Sequence, residues 1–593
     1  MKIVPAIFAW TVGLVLVSGP VLAQQPRSPK TNSTAAPAPP VSFEGDWSGV
    51  LEVGETELQL VLHLSRDAQG EWHAKLDSLN QAVYGMAASK VTREADTLRF
   101  EIASVGAKFQ GKLQPNQRSI RGVWEQGGAG LPLQFEKRAA GAASRGAAAA
   151  AVSKAEGTWQ GAIEVTNMRM RLQMHVSHDD EGKLLASVDS LDQGIQGIPA
   201  AKVREQNGQL SFEIPAFQAE YHGALSASKN EIAGEWTQND SIEKLDFHRS
   251  DQPLELRRPQ NPAKPYPYVV EEVSFPAGDG KVTLAGTLTI PQGAGPFPAA
   301  VFVGGSGPAD RDETTAGHKP FLVLADLLAR KGIAALRYDK RGIGQSTGNY
   351  EQATVDDLAG DVQAALNYLK TRKEVDPKRT GVLGHSEGGI LAEQVAVHTS
   401  DLDWLVLLAT PATTGERTLL RQSELIARTG GLPEEQITRS QQLDRMAYGA
   451  VREEKSPSAL EARLRNLIEK SGLSASMPPA ALQAQIRLMT TPWFRQYLDL
   501  NPAPLLEQIK CPVLALNGDR DLQVDADQTV PVLRQAYEKS GNKDFTVMEI
   551  EGVNHLFQKA QSGSPALYGA IEETIAPEVL NAITAWLARH TAQ

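Results

Sequence analysis

The stretch GHSEGG, residues 384–389, decides the fold of the C-terminal half of this chain. It follows an apolar run at residues 380–383 that predicts a strand, and it leads into a helical pattern at residues 388–397. Glycines on both sides of Ser386 permit a tight turn, because a side chain at either glycine would collide with neighbouring backbone. Such a turn pushes the Ser386 hydroxyl out above the edge of a sheet, which makes it a candidate nucleophile. The alternative is an ordinary serine in a surface turn.

A serine hydroxyl is a weak nucleophile until an imidazole takes its proton and a carboxylate fixes that imidazole in one tautomer. Two histidines lie late in the chain. His555 belongs to a glycine-containing loop after the last predicted strand, whereas His590 belongs to a predicted amphipathic helix. The loop position favours His555 as the base.

Two aspartates are candidates for the acid. The apolar run at residues 511–518 predicts a strand, and Asp519 and Asp521 follow it directly. One of them can turn toward the imidazole while the other pairs with Arg520 or faces water. The residues alone leave both open.

A developing oxyanion needs backbone N–H donors. The amide of Glu387 is one candidate, because the N-terminus of a helix presents N–H groups and the positive end of its dipole. A second donor is expected from the GGSGP turn, residues 304–308, where glycines let the backbone approach a substrate closely. The same turn is a poor phosphate-binding loop, because no Gly-Lys-Ser/Thr sequence follows it.

Strand-like and helix-like patterns alternate from about residue 265 to residue 593. Strands are predicted at residues 299–303, 333–338, 380–383, 405–409, 513–517 and 545–550, and helices at residues 321–330, 355–369 and 388–397. This alternation predicts an α/β domain with a mostly parallel sheet.

One connection in this domain is too long for a simple loop. About 100 residues, 411–510, separate two predicted strands and carry helical periodicity, so we expect a helical lid over the sheet. Near its end, Trp493 and Phe494 are candidates for an apolar wall against an acyl chain, or for packing among the lid helices. His318 is a candidate substrate-binding residue at the rim of the pocket, or a residue of a solvated loop.

Five segments carry a resemblance to a known superfamily: GGSGPADRDE at 304–313, RYDKRGIGQS at 337–346, GHSEGG at 384–389, NGDRD at 517–521 and GVNHLF at 552–557. Through them, residues 268–593 are similar to α/β-hydrolase superfamily serine hydrolases of the bacterial carboxylesterase type. Dienelactone hydrolases and prolyl-oligopeptidase-like families are related to that type. The resemblance implies an α/β-hydrolase fold with a lid insertion at residues 411–510.

The resemblance also implies roles for single residues. In related hydrolases the acid lies three residues after the glycine that closes its strand, which selects Asp521 over Asp519. The oxyanion donor from the turn corresponds to Ser306, with Gly305 next. Residues 339–346 match a turn whose role in the superfamily is mostly structural.

These features predict a serine hydrolase that cleaves carboxylic esters of short to medium acyl chains through an acyl-enzyme. No metal or organic cofactor is expected. A serine exopeptidase acting on short peptides is the alternative, because the same triad cuts amides. No acidic cluster suited to a peptide amine stands out near the lid aromatics, which favours the esterase. A third reading is a protein that only binds a polymer or lipid.

The N-terminal half contains an internal repeat. A shift of 112 positions aligns the sequence with itself without a gap, so that two copies occupy residues 42–138 and 154–250. Identical pairs include Gly45 with Gly157, Trp47 with Trp159, His63 with His175, Asp77 with Asp189, Phe100 with Phe212 and Trp124 with Trp236. Alternating apolar residues predict strands, and the GxWxG opening resembles small lipocalin-like barrels or sandwiches. We expect these all-β domains to contact a polymer or lipid surface. The repeated histidine is a packed residue or, alternatively, a metal ligand.

The N-terminus has the features of a secretory signal. Lys2 precedes an apolar stretch, and small residues end it at Ala23, so residues 1–23 are predicted to be a signal peptide. Its alternative is an uncleaved anchor. Residues 24–41 and 139–153 read as a disordered linker and an Ala-rich linker. The expected location is periplasmic or extracellular.

The composition fits a globular protein of several domains. The chain has 593 residues, 41% of them hydrophobic and 22% charged, with a formal net charge of −11. This acidic balance argues against a nucleic-acid partner, which attracts basic surfaces. Cys511 is the single cysteine, so no intramolecular disulfide can form.

Overall fold

The computed structural model describes residues 43–591 with short interruptions. Within that span, the residues outside the description are 54–55, 67–71, 79–82, 89, 95, 103–106, 117, 127–128, 138–152, 166–167, 179–181, 191, 193–194, 216–218, 239–240, 251–256, 400–401 and 472–478. The predicted signal peptide (1–23), the predicted linker (24–41) and all but one residue of the predicted Ala-rich linker (139–153) lie outside the described residues.

Contacts divide the chain into an N-terminal unit that ends at Glu255 and a C-terminal unit that begins at Leu256. The C-terminal unit thus starts before residue 265, its predicted start. Arg258 explains this, because its guanidinium donates to the carbonyls of Ala316, Gly569 and Ile571 at 2.8–3.1 Å.

The first repeat forms one antiparallel sheet of nine strands. They are β1 (Gly45–Val53), β2 (Thr56–Arg66), β3 (Trp72–Ser78), β4 (Val83–Ala87), β5 (Lys90–Glu94), β6 (Thr97–Ile102), β7 (Ala107–Leu113), β8 (Ser119–Gln126) and β9 (Ala129–Lys137). Their order is β4-β3-β2-β1-β9-β8-β7-β6-β5.

The second repeat forms an equivalent sheet. Its strands are β10 (Gly157–Val165), β11 (Met168–His178), β12 (Leu184–Ser190), β13 (Ile195–Pro199), β14 (Ala201–Gln206), β15 (Gln209–Ile214), β16 (Ala219–Leu225), β17 (Glu231–Gln238), β18 (Ser241–Lys244) and β19 (Phe247–Arg249). Their order is β13-β12-β11-β10-β19-β17-β16-β15-β14, and β18 pairs with β17.

Each N-terminal sheet curls because its first strand pairs with its last. β1 pairs with β2 on one side and with β9 on the other, and β10 pairs likewise with β11 and β19. β3 and β5 also lie in contact, as do β12 and β14. Each repeat is therefore one continuous near-barrel sheet, which confirms the all-β fold class and favours the barrel over a two-sheet sandwich.

A tryptophan anchors the core of each near-barrel. Trp47 is fully buried and donates its indole N–H to the Phe43 carbonyl at 2.9 Å. Trp159 is fully buried as well and donates to the Ala155 carbonyl at 2.8 Å. Both pairs are related by the repeat of 112 residues, so the identical tryptophans make the same main-chain hydrogen bond in the two copies.

The C-terminal unit contains an eight-stranded sheet. Its strands are β20 (Val269–Ala277), β21 (Val282–Ile290), β22 (Phe297–Val303), β23 (Ala334–Tyr338), β24 (Val375–His385), β25 (Trp404–Leu408), β26 (Val513–Gly518) and β27 (Phe545–Ile550). Their order is β20-β21-β23-β22-β24-β25-β26-β27.

The pairs from β23 to β27 along this order are parallel, and β20 and β21 add antiparallel strands at one edge. The parallel strands β22, β23, β25 and β26 are buried on both faces, as expected when helices cover a sheet, whereas the edge strand β27 is partly exposed. The covering helices are α1 (Pro320–Arg330), α2 (Val355–Lys370), α3 (Glu387–His398), α10 (Ala526–Ser540) and α11 (Pro577–His590). A 3₁₀ turn spans Pro565–Ala570. The predicted mostly parallel α/β sheet is confirmed.

Between β25 and β26, the residues that the structure describes form six helices. They are α4 (Gly415–Thr429), α5 (Glu434–Glu453), α6 (Pro457–Ser471), α7 (Pro479–Thr490), α8 (Pro492–Asp499) and α9 (Ala503–Leu506). The long connection is thus helical, as its periodicity predicts, and we refer to α4–α9 as the lid. None of the helices in the described part of the chain is both long enough and apolar enough to cross a membrane.

Candidate active site

Ser386 lies at the turn between β24 and α3, near the middle of the sheet. Its φ of 54° and ψ of −124° are strained for a residue with a side chain. The Ser386 amide donates to the Leu408 carbonyl at 2.8 Å, which ties the turn to β25. A Cβ added to Gly384 would collide with the Gly388 carbonyl, and one at Gly388 would collide with the Val303 carbonyl. The glycines therefore have the role that the sequence predicts.

His555 and Asp521 follow β27 and β26 and meet at the same edge of the sheet. His555 Nδ1 lies 2.8 Å from Asp521 Oδ2, and both side chains are buried. The other oxygen of Asp521 accepts the amides of Gln523 and Val524, each at 2.8 Å, so the carboxylate is held in place. This arrangement fixes the orientation of the imidazole.

The second aspartate has a different contact. Asp519 accepts the Gly552 amide at 2.6 Å and thereby braces the loop that carries His555. His590, on α11, contacts Asp544 at 3.1 Å and stacks on Trp586. The structure thus brings Asp521 to His555 and keeps Asp519 and His590 in other contacts.

The loop of His555 is held against the turn of Ser386. His385, the residue before the nucleophile, lies 3.0 Å through Nε2 from the main-chain carbonyl of His555. The two imidazole rings are 4.8 Å apart between centroids. His555 and the turn of Ser386 are therefore neighbours in a buried arrangement.

The GGSGP turn follows β22 and lies beside the nucleophile. A Cβ added to Gly305 would lie 3.0 Å from the Cβ of Ser386. Among the described residues, neither the Ser306 amide nor the Glu387 amide donates to a group of the protein. The Gly305 amide donates to Glu313 Oε1 at 2.6 Å, so it is not free to serve as the oxyanion donor predicted for it.

Three residues that sequence reasoning did not single out hold this turn. Lys340 Nζ donates to the Gly305 carbonyl, and Tyr350 Oη accepts the Gly307 amide at 2.9 Å. Glu313 is the third, through the Gly305 amide. Glu313 and Lys340 belong to segments that carry the superfamily resemblance, so the sequence held a signal that could have pointed to them. Tyr350 lies outside those segments, and no such signal marks it.

The side chain of Glu387 connects the nucleophile turn to the lid. It is fully buried, and it accepts the indole N–H of Trp493 from α8. Lys340 Nζ lies 3.6 Å from the other carboxylate oxygen, which forms a buried ion pair. The lid is thus attached directly to the residue that follows the nucleophile.

The two predicted lid aromatics have different surroundings. Trp493 stacks on Tyr497 with a centroid distance of 5.1 Å and an angle of 18°. Phe494 is fully buried and packs against Tyr448 at 5.9 Å. Thr491 caps helix α8 by accepting the Phe494 amide at 3.1 Å. Phe494 therefore has the packing role that was its alternative, whereas Trp493 reaches the nucleophile turn.

His318 is buried and does not lie at the rim of a pocket. Its Nδ1 lies 2.9 Å from Thr574 Oγ1, and its Nε2 lies 3.1 Å from the Tyr568 carbonyl. Burial lowers the pKa of His318 to about 4. Both ring nitrogens of His318 contact groups inside the protein, so His318 fixes the segment 568–574. The predicted contact of His318 with a substrate is therefore wrong.

The turn at residues 339–346 is braced by its own polar groups and by Arg311. Asp339 accepts from Arg311 Nη2 at 2.8 Å and from the Gln345 amide at 3.1 Å. Ser346 Oγ donates to the Asp339 carbonyl at 2.7 Å. These contacts agree with the structural role that the resemblance implies.

Within the described residues, no three His, Cys, Asp or Glu side chains group as a metal site.

A comparison with protein families agrees with the fold and with the site geometry described above. A family described as serine aminopeptidase, S33, matches residues 319–559, which include α1, the nucleophile turn, the lid and the base. The C-terminal unit has the α/β-hydrolase fold, and residues 319–559 are similar to this family. We call it the hydrolase unit, and the chain is an enzyme of the hydrolase class.

Curated relatives match the hydrolase in part. Esterase EstD of Thermotoga maritima is 29% identical over 325 residues, which cover 54% of this chain and 70% of the relative. The uncharacterized protein YfhR of Escherichia coli is 33% identical over 127 residues, or 21% of this chain and 41% of YfhR. The chain therefore spans most of EstD but less than half of YfhR.

Solved structures also align with the hydrolase. The esterase Pf2001 of Pyrococcus furiosus aligns with a TM-score of 0.36 and 17% identity, over 57% of this chain and 98% of that one. The α/β hydrolase GrgF of Penicillium sp. aligns with a TM-score of 0.35 and 20% identity, over 55% of this chain and 100% of that one.

Proposed function

We propose that the hydrolase is a serine carboxylesterase for esters of short to medium acyl chains, with Ser386 as nucleophile, His555 as base and Asp521 as acid. The observation that carries this proposal is the Asp521–His555 pair, 2.8 Å between the two side chains, in a loop held against the strained turn of Ser386. That combination is what nucleophilic acyl transfer requires.

The reaction proceeds in two halves. His555 takes the hydroxyl proton of Ser386 as Oγ bonds to the ester carbonyl, and the oxyanion accepts hydrogen bonds from the Ser306 and Glu387 amides. The C–O bond to the alcohol then breaks, and the alcohol leaves with the proton from His555. Water repeats the sequence on the acyl-enzyme, which releases the carboxylic acid and restores Ser386.

The charges around the nucleophile support an ester rather than a peptide substrate. An aminopeptidase needs a free carboxylate to pair with the substrate amine. Glu387 is already paired with Lys340 and bonded to Trp493, and Glu313 is bonded to Gly305 and His385. Both buried glutamates beside Ser386 are therefore engaged within the protein.

The lid contact supports a limit on acyl length. Trp493 is buried at the nucleophile turn and stacked on Tyr497, so two large rings close the space next to Glu387. A wall of this kind restricts the pocket and excludes water from the reacting atoms. Short and medium acyl groups fit such a space better than long chains.

The proposal is tested by fluorophosphonate labelling followed by peptide mapping, and then by a panel of p-nitrophenyl esters from acetate to palmitate. We expect the label on Ser386 and the highest kcat/KM between acetate and octanoate. A label on another residue would reject the triad, and a maximum at palmitate would reject the acyl-length limit.

The second candidate is a serine exopeptidase, which the description of the matched family favours. Aminoacyl and dipeptidyl p-nitroanilides distinguish it from the esterase. Faster cleavage of any of these anilides than of the best ester would establish the peptidase and leave the triad unchanged.

We also propose that the enzyme is exported. The support is the pattern of Lys2, the apolar stretch after it and the small residues that end at Ala23. N-terminal sequencing of the protein recovered from a periplasmic or culture fraction should begin at Gln24. Recovery of the full chain from the cytoplasmic fraction alone would contradict this.

A further inference from the structure

His385 is a buried histidine whose two ring nitrogens both face hydrogen-bond acceptors. Nδ1 lies 2.9 Å from Glu313 Oε1, and Nε2 lies 3.0 Å from the main-chain carbonyl of His555. A carboxylate and a carbonyl can only accept, so each nitrogen must carry a hydrogen. His385 is therefore an imidazolium, and Glu313 is its counter-ion in the protein interior.

Glu313 joins this cation to the oxyanion turn. The same oxygen that accepts from His385 also accepts the Gly305 amide at 2.6 Å. The backbone of Glu313 has a φ of 53°, in the left-handed region that residues with side chains rarely adopt. Such strain persists only where the surroundings over-determine it, which here are the contacts of its carboxylate.

The pair thereby touches the base and the oxyanion turn at once. The His555 ring is fixed by Asp521, and its main chain is fixed by His385. The ring of Phe557 also lies near His385, with a centroid distance of 6.4 Å. The acceptors of both hydrogens of His385 and the Gly305 donor thus belong to two separate loops, after β22 and after β27, while His385 itself ends β24.

We propose that Glu313 and His385 form a carboxylate–imidazolium pair that positions the base His555 and the oxyanion turn as one unit. This inference rests on the proposed triad. Neither residue contacts the reacting atoms, so both are positioning residues rather than catalytic ones.

The titratable groups that face His385 determine when the pair exists. They are Glu313 from the loop after β22, and Asp521 and His555 from the loops after β26 and β27. Burial alone would lower the pKa of His385, but Glu313 and the His555 carbonyl outweigh it and raise that pKa above its ordinary value. The positioning contacts are therefore present below the raised pKa of His385 and are lost as pH rises through it.

The test is the pH profile of kcat and KM for a p-nitrophenyl ester, measured on the parent and on Glu313→Gln. The amide has the shape of the carboxylate but no charge, so His385 gives up its proton at a lower pH. We expect kcat to fall roughly 10- to 100-fold at pH 8 with little change in KM, because displaced catalytic groups slow the chemical step. The alkaline limb of the profile should move to lower pH by at least about one unit.

Glu393→Gln is the matched control. Glu393 lies on α3 and is also buried, but its carboxylate has no hydrogen-bond partner within the described residues. The Glu393→Gln substitution should therefore leave the pH profile unchanged. If Glu313→Gln keeps the parent kcat and the parent alkaline limb, the inference is rejected. Fluorophosphonate labelling of Ser386 in the parent separates this result from a failure of the triad itself.

Two further measurements apply if Glu313→Gln does not fold. His385→Gln removes the titrating ring, so the alkaline limb should disappear; a limb that stays in place rejects the pair. On the unsubstituted protein, the pH dependence of hydrogen–deuterium exchange at the His385 ring carbon reports its titration directly. A midpoint below that of an ordinary histidine would overturn the inference.

Discussion

The indole N–H of Trp493, in the lid, is donated to the carboxylate of Glu387, the residue that follows the nucleophile in the chain. The two residues are 106 positions apart in sequence. A single hydrogen bond thus connects the position of the lid with the amide that stabilises the oxyanion in the proposed mechanism. Substitutions in the lid are expected to affect the chemical step as well as substrate binding.

Trp493→Phe should therefore reduce kcat and widen acyl selectivity. Phenylalanine keeps an aromatic ring but cannot donate to Glu387, and a hydrogen bond to a charged group contributes about 1.5–3 kcal/mol. We expect kcat/KM on p-nitrophenyl butyrate to fall about tenfold, with a smaller loss on longer esters. Trp586→Phe on α11 is the control, since the Trp586 indole N–H has no partner within the described residues. Equal effects of the two substitutions would contradict this role.

Asp521→Asn should be far more damaging than Asp519→Asn. An amide in place of Asp521 favours the wrong tautomer of His555 and cannot stabilise the imidazolium, so kcat should drop roughly 10,000-fold. Asp519 contacts the Gly552 amide and Arg520 rather than the imidazole of His555, so its loss should cost ~1 kcal/mol of stability and little activity. Single-turnover kinetics and thermal unfolding separate the two effects. The opposite order of activities would assign the acid to Asp519.

Lys340→Met should destabilise the hydrolase unit by about 3–5 kcal/mol, because it leaves the buried carboxylate of Glu387 without its counter-ion. Adding Glu387→Gln should recover part of that loss, since the double variant has no unpaired buried charge. Lys559→Met is the control, as its contact with Glu578 is exposed and such pairs contribute about 0–1 kcal/mol. Urea unfolding measures all four proteins, and a double variant less stable than Lys340→Met would refute the pairing.

The first near-barrel should lose stability as pH rises from neutral. His63 lies 2.8 Å from both Asp77 and Asp46, and the hydrogen bond to Asp77 contributes most to raising its pKa to about 9. The folded state thus keeps a proton that the unfolded chain releases near pH 6.5. The stabilisation is complete below pH 6.5, decreases between 6.5 and about 9, and is absent above that.

Calorimetry of the N-terminal transition across this range tests the expectation. The difference in Tm between the parent and His63→Gln should be largest at pH 6 and should vanish by pH 10. Asp46→Thr, which gives His63 the neighbour that His175 has in Thr158, should weaken the dependence. A Tm difference that does not vary with pH would show that the histidine is packed without a charge.

Local patterns predicted the nucleophile turn because its strand, glycines and helix are contiguous in the chain. Asp521 needed the family resemblance, since Asp519 precedes the same loop and only the fold brings one of them to His555. The role of Gly305 could not be read from its own turn, because Glu313, eight residues later, occupies its amide.

Contacts between distant segments account for the other differences. The sequence predicted His318 at the rim of the pocket or in a solvated loop, but the segment around Thr574 buries it. Alternating apolar residues in the N-terminal repeats are compatible with a barrel and a sandwich alike. The pairing of β1 with β9, at opposite ends of the repeat, decides between them, and no local pattern encodes it.

The arrangement of those end strands has a consequence for synthesis on the ribosome. Trp47 on β1 pairs with Lys137 on β9, and Trp159 on β10 pairs in the same register with Arg249 on β19. The last strand of each repeat, β9 or β19, therefore offers a comparable edge to either first strand, β1 or β10. Tandem repeats of this kind can misassemble by exchanging strands. Because translation delivers β9 before β10 and β19 exist, the first repeat can close on its own strand while no competitor is present. Refolding the whole chain from denaturant removes that order, and exchanged pairings should then appear that nascent chains avoid.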